Sequence, residues 1–293
     1  MRARAIKRLI PTIIVLLSFS GSVFSQQQQR PHIVLVVGTT HYSPELSMPL
    51  LAKELEKFGF RTTVVMGDGD PEKKTENVLP GIEALNTADA AILFMRFLKL
   101  PDDEWMHLEN YVKSGKPIIA LRTTSHSFKY DRSHPRFAWN DDFGRLVMGT
   151  PYIVHQSGTT EVKVVKKHST HPVMANVTEL EWTSEGTLYL TRLEAGCIPL
   201  MVGTGTGKKR LVEKSFGPVS VNESESDIVA WAWQNQWGGK VFGTSFGHPA
   251  DFANSGFTRM IVNSVHWAVD RPLPRASQEI STWKIERADK RKK

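Results

Sequence analysis

The sequence of 293 residues contains a single cysteine, Cys197. An internal disulfide is therefore excluded, and the fold must depend on its hydrophobic core. The sequence has no internal repeat of solenoid length, and no His-x-x-x-His or Cys-x-x-Cys spacing marks a metal site. Hydrophobic residues make up 40% of the chain and charged residues 23%, which is the composition of an ordinary globular protein.

The main body of the chain also lacks a basic surface. The formal charge of +7 arises at the two ends: residues 1–25 carry four basic and no acidic side chains, and residues 284–293 carry six basic and two acidic ones. The body between them is close to neutral. Because nucleic acids bind through clustered Lys and Arg on the fold itself, a nucleic-acid partner is not expected.

The N-terminus has the organisation of a signal peptide. A basic stretch over residues 1–8 precedes an apolar run over residues 9–19, and small residues end at Ser25, a suitable cleavage site. We expect residues 1–25 to be removed on export and residues 26–31 to form a polar spacer. The mature protein is then periplasmic or secreted, without stable membrane insertion. An uncleaved membrane anchor is the alternative.

Strand and helix patterns alternate over the first part of the body. Residues 32–37 are a continuous apolar run closed by Gly38, as in a strand buried on both faces. Helices are predicted over residues 47–58 and 101–114, and further strands over residues 61–66, 89–94 and 117–121. This order predicts an α/β fold with a doubly wound, mostly parallel sheet and flanking helices.

The second half is predicted to add strands and a closing helix. Residues 160–166 alternate like an edge strand, and strands are expected over residues 198–202, 228–234 and 240–244, the last two as a hairpin. Residues 141–147 suggest a helical turn and residues 252–269 an amphipathic helix. The run at 203–208 resembles a phosphate-binding loop without its spacing, so we interpret it as a flexible hairpin turn.

Polar residues and a histidine follow the ends of three apolar strands, at His41, His126 and His248. Arg96 and Arg122 also lie just past strand ends. In an open parallel sheet the ligand crevice lies outside the carboxyl ends of the strands, so we expect these side chains to converge.

Two kinds of chemistry are compatible with these residues. The histidines can act as general acid and base while an arginine polarises a carbonyl or hydroxyl group. Alternatively, His41, His126 and His248 are candidate ligands for a divalent metal such as zinc, although the sequence requires no cofactor. Residues 243–247 also match the G-x-S-x-G turn of serine hydrolases, but only 48 residues follow Ser245, which leaves little room for the partners.

Many short segments of the sequence match one known family in order and spacing: residues 40–44, 114–119, 121–128, 143–144, 152–155, 171–173, 184–189, 239–242, 247–249 and 266–268. Through these segments the chain resembles the trehalose-utilisation (ThuA-like) family, whose fold is similar to that of class I glutamine amidotransferases, with flavodoxin-like topology. We therefore place a ThuA-like α/β domain at residues 32–272 and a basic tail at residues 273–293.

The resemblance implies an activity on carbohydrates, such as the processing of glycosides or 3-keto glycosides. The enzyme would then be of isomerase, lyase or hydrolase type. The amidotransferase-like fold carries a nucleophilic Cys at the turn after a central strand. Here that turn reads Leu-Arg-Thr-Thr-Ser-His over residues 121–126, so glutaminase activity is not expected. A catalytically silent carbohydrate-binding or scaffold protein and a metal-dependent hydrolase are the alternatives, and the oligomeric state stays open. The predicted catalytic residues are Arg122, His126 and His248, and the predicted substrate-binding residues are His41, Arg96, Ser125, His155 and Glu185.

Overall fold

A computed structural model describes residues 30–68, 78–214 and 216–285. The predicted signal peptide, residues 26–29 of the spacer and residues 286–293 of the tail lie outside these residues. No helix within the described ranges has the length and apolarity needed to cross a membrane.

The described residues form thirteen strands: β1 (His32–Gly38), β2 (Arg61–Met66), β3 (Ala90–Met95), β4 (Ile118–Leu121), β5 (Val154–His155), β6 (Thr160–Val164), β7 (Glu181–Ser184), β8 (Tyr189–Leu190), β9 (Ile198–Gly205), β10 (Arg210–Val212), β11 (Val219–Val221), β12 (Ser226–Gln234) and β13 (Lys240–Thr244). Nine of them form the central sheet, in the order β2-β1-β3-β4-β13-β12-β9-β6-β7. The other four form two short ribbons, β10-β11 and β5-β8.

The first half of the sheet is parallel. β1 pairs with β2 and β3, β3 pairs with β4, and β4 pairs with β13, all in parallel register. The order 2-1-3-4 followed by a fifth parallel strand is the flavodoxin-like doubly wound order. The predicted fold class is therefore confirmed.

The second half of the sheet is antiparallel and corrects two predictions. β6 lies between β9 and β7, so the segment predicted as an edge strand is internal and β7 is the edge. The predicted hairpin turn at 203–208 is also wrong in its first part, because Gly203 and Gly205 belong to β9. A Cβ on Gly203 would lie 2.6 Å from Thr160 Cγ2 of the neighbouring strand. Glycine is needed here for close packing rather than for a turn.

Helices cover both faces of the sheet: α1 (Pro44–Lys57) and α4 (Ser255–Ala268) on one face, α2 (Asp102–Lys113) and α3 (Trp139–Phe143) on the other. Alternate residues of β1 enter the two cores, Leu35 on the α1 side and Val36 on the α2 side. This explains the uninterrupted apolar run of that strand.

Several helix boundaries differ from the predictions. α1 begins at Pro44, three residues before the predicted start, because proline is well suited to the first helical turn. The predicted closing helix is split: a 3₁₀ turn (Pro249–Ala253) precedes α4, and the Asn254 side chain caps α4 by accepting a hydrogen bond from Phe257 N at 2.9 Å. The predicted turn at 141–147 is α3 continued by a π-helical turn (Gly144–Met148).

Candidate functional site

Four neighbouring parallel strands end at the same edge of the sheet, and their following turns form a crevice. β1 leads to His41 and Tyr42, β3 to Arg96, β4 to the 3₁₀ turn Arg122–His126, and β13 to His248. Because β1, β3, β4 and β13 are adjacent, these turns lie side by side. The carboxyl edge of a parallel sheet is where open α/β proteins bind ligands.

The backbone at this edge is strained. Non-glycine residues with left-handed φ angles follow each of three strands: Tyr42 (72°) and Ser43 (53°) after β1, Phe97 (54°) after β3, and Arg122 (44°) directly after β4. Such angles cost on the order of 1–3 kcal/mol each and concentrate at functional sites. The turn after β4 is therefore a sharp elbow, with Arg122 at its apex.

Arg122 forms the floor of the crevice and is 1% exposed. Its Nη1 donates to Ser245 O at 2.6 Å and its Nη2 to Thr187 Oγ1 at 3.3 Å. The guanidinium carbon lies 4.1 Å from the ring centre of Tyr42 and 4.8 Å from that of Tyr189. Burial lowers the pKa of Arg122, but the two tyrosines and Asp251 outweigh this effect and raise it. The group stays charged.

His126 lies beside this floor and is 8% exposed. Its Nδ1 is 3.1 Å from Ser125 Oγ, and its ring centre is 4.3 Å from that of Tyr152 and 5.2 Å from that of Phe97. Burial lowers the pKa of His126 well below its ordinary value, and the positive charge of Arg96 lowers it further. The imidazole is neutral at neutral pH.

Tyr152 and His155 form a hydrogen-bonded pair on the adjoining wall. Tyr152 Oη and His155 Nδ1 are 2.6 Å apart. Burial, followed by the charge of Arg210, lowers the pKa of His155 to about 4, while burial raises the pKa of Tyr152 to about 12. The tyrosine is thus the donor and the imidazole the acceptor, which leaves the proton of His155 on Nε2.

His248 and Asp251 close the crevice from β13. His248 Nδ1 accepts from Ala250 N at 3.3 Å, and the His248 ring lies 5.8 Å from Tyr42. The carboxylate of Asp251 is buried and accepts from Ser184 Oγ at 2.6 Å and from Gly247 N and His248 N at 2.9 Å. His248 is therefore a helix cap as well as a crevice residue.

The structure brings seven of the eight predicted residues to this edge. Ring contacts run from His41 and His248 through Tyr42 to Arg122, and from there through Tyr189 to His126 and His155. Glu185 is exposed, and among the described residues no hydrogen bond or ring contact joins it to the others. The neighbouring Gly186 does reach the site, because a Cβ there would lie 2.7 Å from Arg122 Nη1.

Four residues of the site were not predicted, namely Tyr42, Tyr152, Tyr189 and Asp251. The tyrosines stood within the segments of family resemblance, but an aromatic residue in a sequence looks the same in a core as in a crevice. Asp251 could have been found as the acidic partner, three residues on, of a capping box that begins at His248.

The sequence leaves a divalent metal such as zinc as an alternative, with His41, His126 and His248 as candidate ligands. Across residues 30–68, 78–214 and 216–285, no group of three or more His, Cys, Asp or Glu side chains is placed to hold a metal ion. The match of Ser245 to a hydrolase turn also gains no support: its carbonyl oxygen accepts from Arg122, and the hydrogen bonds of the nearby His126 and His155 rings join Ser125 and Tyr152. Cys197 directly precedes β9, with Sγ 3.9 Å from Gly149 O, and burial raises the pKa of its thiol to about 12.

The space below the floor is too small for a sugar. A pocket lined by Arg122, Ser125, Tyr152 and Tyr189, among others, has a volume of about 10 Å³, roughly enough for one water molecule. A ligand larger than water would therefore bind on the open side of the crevice, against the half-buried side chains of His41, Tyr42, Arg96 and His248.

The fold and the crevice define a flavodoxin-like α/β protein with a polar crevice at the carboxyl edge of its sheet. The chain belongs to the ThuA family, described as trehalose utilisation, whose family model matches residues 33–268.

Two solved structures are similar in fold. A ThuA-like protein from Parabacteroides merdae ATCC 43184 is 14% identical, with a TM-score of 0.58 over 86% of this chain and 95% of that chain. A ThuA-like protein from Bacteroides uniformis ATCC 8492 is 14% identical, with a TM-score of 0.56 over 85% of this chain and 94% of that chain. At this identity the likeness concerns the fold alone. No curated protein matches the chain.

Proposed function

We propose that the protein binds a carbohydrate in this crevice and that His126 acts as the base that removes a proton from the bound carbohydrate. The family description, trehalose utilisation, supports a carbohydrate ligand. The rim of the crevice supports it as well, because aromatic rings stand beside hydrogen-bonding groups there, and sugars bind to such surfaces through their apolar faces and hydroxyl groups.

The neutral imidazole of His126 beside positive charge is the observation that carries the proposal. Ser125 Oγ donates to Arg122 O at 3.4 Å, which leaves its oxygen to accept from Nδ1 of His126. In this assigned tautomer the lone pair is on Nε2 of His126. A neutral base next to cationic groups can remove a proton while the cations stabilise the resulting anion.

This pairing suits proton removal next to a carbonyl group. In a 3-keto glycoside, His126 takes the proton from the carbon beside the keto group, the C–H electrons form the C=C bond of an enolate, and the charge collects on the keto oxygen. Protonation of that carbon on the opposite face by water gives an epimer, with the first proton left on His126 and passed on to solvent. Loss of the glycosidic oxygen from the next carbon, with a proton delivered to the leaving group, gives elimination. The reaction class is therefore isomerase or lyase.

The two other predicted catalytic residues take indirect parts in this proposal. Arg122 lies beneath Tyr42, so it acts on the anion through its charge rather than by contact. Nδ1 of His248 accepts from Ala250 N, which holds the imidazole beside Tyr42, where it adds a polar wall to the crevice. His126 is thus the proton acceptor of the site.

A catalytically silent carbohydrate-binding protein is the second candidate. The burial of Arg122 favours it, since a guanidinium that is 1% exposed and bonded to Ser245 O and Thr187 Oγ1 also serves as a structural group. The two candidates make different predictions for hydrogen exchange on a bound ligand.

The test uses a panel of glucosides and their 3-keto forms. Binding is measured by calorimetry, and exchange of the hydrogen beside the keto group is followed by NMR in heavy water. We expect exchange with the purified protein and a loss of roughly a hundredfold or more in His126→Asn, with little change in affinity. His107→Asn is the matched control, because His107 lies on α2 and hydrogen-bonds to Asn86.

Three results would contradict the proposal in different ways. Binding without exchange or product establishes the silent candidate. Exchange that persists in His126→Asn removes His126 from its role. If neither the glucosides nor their keto forms bind, the carbohydrate site itself is wrong.

A further inference from the structure

Basic side chains surround the Tyr152–His155 pair. Arg210 Nη2 donates to His155 O. Lys214 Nζ lies 4.8 Å from the ring centre of Tyr152. The ring centres of Tyr152 and His126 are 4.3 Å apart. The Tyr152 ring therefore contacts both the ammonium group of Lys214 and the proposed base, His126.

The β10–β11 ribbon aims these charges at the crevice. Along the chain from Arg210 to Lys214 burial alternates: residues 210, 212 and 214 are half-buried, whereas Leu211 and Glu213 are exposed. Alternate residues of an extended chain face opposite sides. Arg210 and Lys214 therefore face Tyr152 and His155, and the carboxylate of Glu213 points away from them.

No acidic side chain of the described residues forms an ion pair with Arg210 or Lys214. No described Asp or Glu oxygen lies within 4.0 Å of a side-chain nitrogen of Arg122, Arg210 or Lys214. The nearby carboxylate of Asp251 is engaged with Ser184 and two backbone N–H groups. Burial and then the charge of Arg210 lower the pKa of Lys214, as expected for like charges held together.

We propose that the carbohydrate bound in this crevice carries an anionic group, a carboxylate or a phosphate, that binds beside Tyr152 and His155 and faces Lys214 and Arg210. This inference rests on the proposed function. It departs from an uncharged disaccharide, which would leave the cationic wall without a counter-charge.

An anion in this position would also serve the proposed chemistry. In the free protein burial, and after it the charges of Arg96 and Arg122, disfavour the protonated form of His126 and lower its pKa. A bound anion offsets that field, so His126 becomes a stronger base once the substrate is in place. A charged substrate would thus be favoured in the proton-transfer step as well as in binding.

The experiment compares matched ligands on the full chain by calorimetry. Glucose and its methyl glycoside are the neutral ligands, glucuronate and glucose 6-phosphate carry the two anionic groups, and inorganic phosphate is the anion without a sugar. We expect at least one acidic sugar to bind roughly tenfold or more tightly than its neutral counterpart, the effect of one charge-assisted contact. High salt should weaken this preference.

Substitutions in and next to the β10–β11 ribbon test whether Lys214 causes the preference for acidic sugars. Lys214→Met should remove most of the acidic preference and leave the neutral sugars unchanged, while Lys214→Arg should retain it. Lys209→Met is the matched control, because Lys209 lies next to β10 and is exposed. Far-UV circular dichroism of each variant shows that the fold is intact.

The outcomes separate the two proposals. If neutral and acidic sugars bind equally, or if Lys214→Met and Lys209→Met behave alike, the anionic inference is wrong and the carbohydrate site stands. If inorganic phosphate binds as tightly as glucose 6-phosphate, the sugar contributes nothing and both proposals are wrong. Binding of an acidic sugar above both its neutral counterpart and phosphate supports both.

Discussion

Replacing Asp251 with alanine should destabilise the protein strongly. The substitution removes the acceptor for Gly247 N and His248 N, both at 2.9 Å, and for Ser184 Oγ at 2.6 Å. Each buried donor left without an acceptor costs about 1–3 kcal/mol. Ser184 Oγ also accepts from Gly186 N, so it keeps one hydrogen bond. Two orphaned backbone donors and the lost hydroxyl contact together predict a loss of about 4 kcal/mol.

The assay is urea unfolding, with thermal unfolding as a second measurement. For a domain of this size a loss of about 4 kcal/mol corresponds to a drop in Tm of roughly 10 °C. Asp227→Ala is a matched control, because Asp227 also accepts three hydrogen bonds, from Thr191 N, Thr191 Oγ1 and Ile228 N, at 2.6–2.8 Å. Asp227 is only half-buried, so water replaces much of what is lost and we expect about 1 kcal/mol.

The pH dependence provides an independent check. Burial raises the pKa of Asp251 above its ordinary value of 3.8. The folded protein therefore takes up this proton at a higher pH than the unfolded chain, and protonation adds stability as the pH falls. The stability of the wild-type protein relative to Asp251→Asn should rise on acidification. Equal losses in Asp251→Ala and Asp227→Ala, or a relative stability that falls on acidification, would refute this reasoning.

Three further predictions concern other parts of the molecule. Burial lowers the pKa of His266 from 6.5 to about 4. Stability that is present above pH 6.5 is therefore lost as the pH falls toward 4, about 3 kcal/mol in total. The free energy of unfolding of His266→Asn should depend less on pH in this range, and an unchanged pH profile would contradict the assignment. The half-buried thiol of Cys197 has its pKa raised by burial from 9.0 to about 12. It should react with a thiol reagent more slowly in the folded than in the unfolded protein, by up to about a thousandfold. Similar rates would contradict the raised pKa. In urea unfolding, Gly115→Ala should destabilise the protein more than Gly238→Ala. Both glycines have left-handed φ angles, but only a Cβ at position 115 would meet a backbone oxygen, Trp237 O at 2.3 Å. Equal losses of stability would mean that the φ angle alone matters.

The parallel half of the fold was predictable because its signals are local. The apolar run of β1 and the segment that became β2 mark strands buried between two layers, and glycine or proline marks where they end. The antiparallel half was predicted less well. Whether residues 160–164 lie at an edge depends on β7 pairing with them, and nothing local to β6 encodes that neighbour.

The site was predictable to a similar degree. His41, Arg96, Arg122, His126 and His248 were found because topology alone requires that the carboxyl ends of neighbouring parallel strands meet. Topology gives no such reason to place Glu185 at this edge, and the structure leaves it exposed. The tyrosines were missed because only packing decides whether a ring lines a crevice or fills a core.

The sequence by itself determined the layered α/β architecture and the sheet edge at which the polar residues gather, because both follow from local apolar patterns and chain order. Only the tertiary structure decided that Arg122 lies beneath Tyr42, that His126 is neutral, and that the β10–β11 ribbon turns Lys214 toward Tyr152. Burial and electrostatic potential are sums over segments that are far apart in the chain, so they exist only once those segments are packed together.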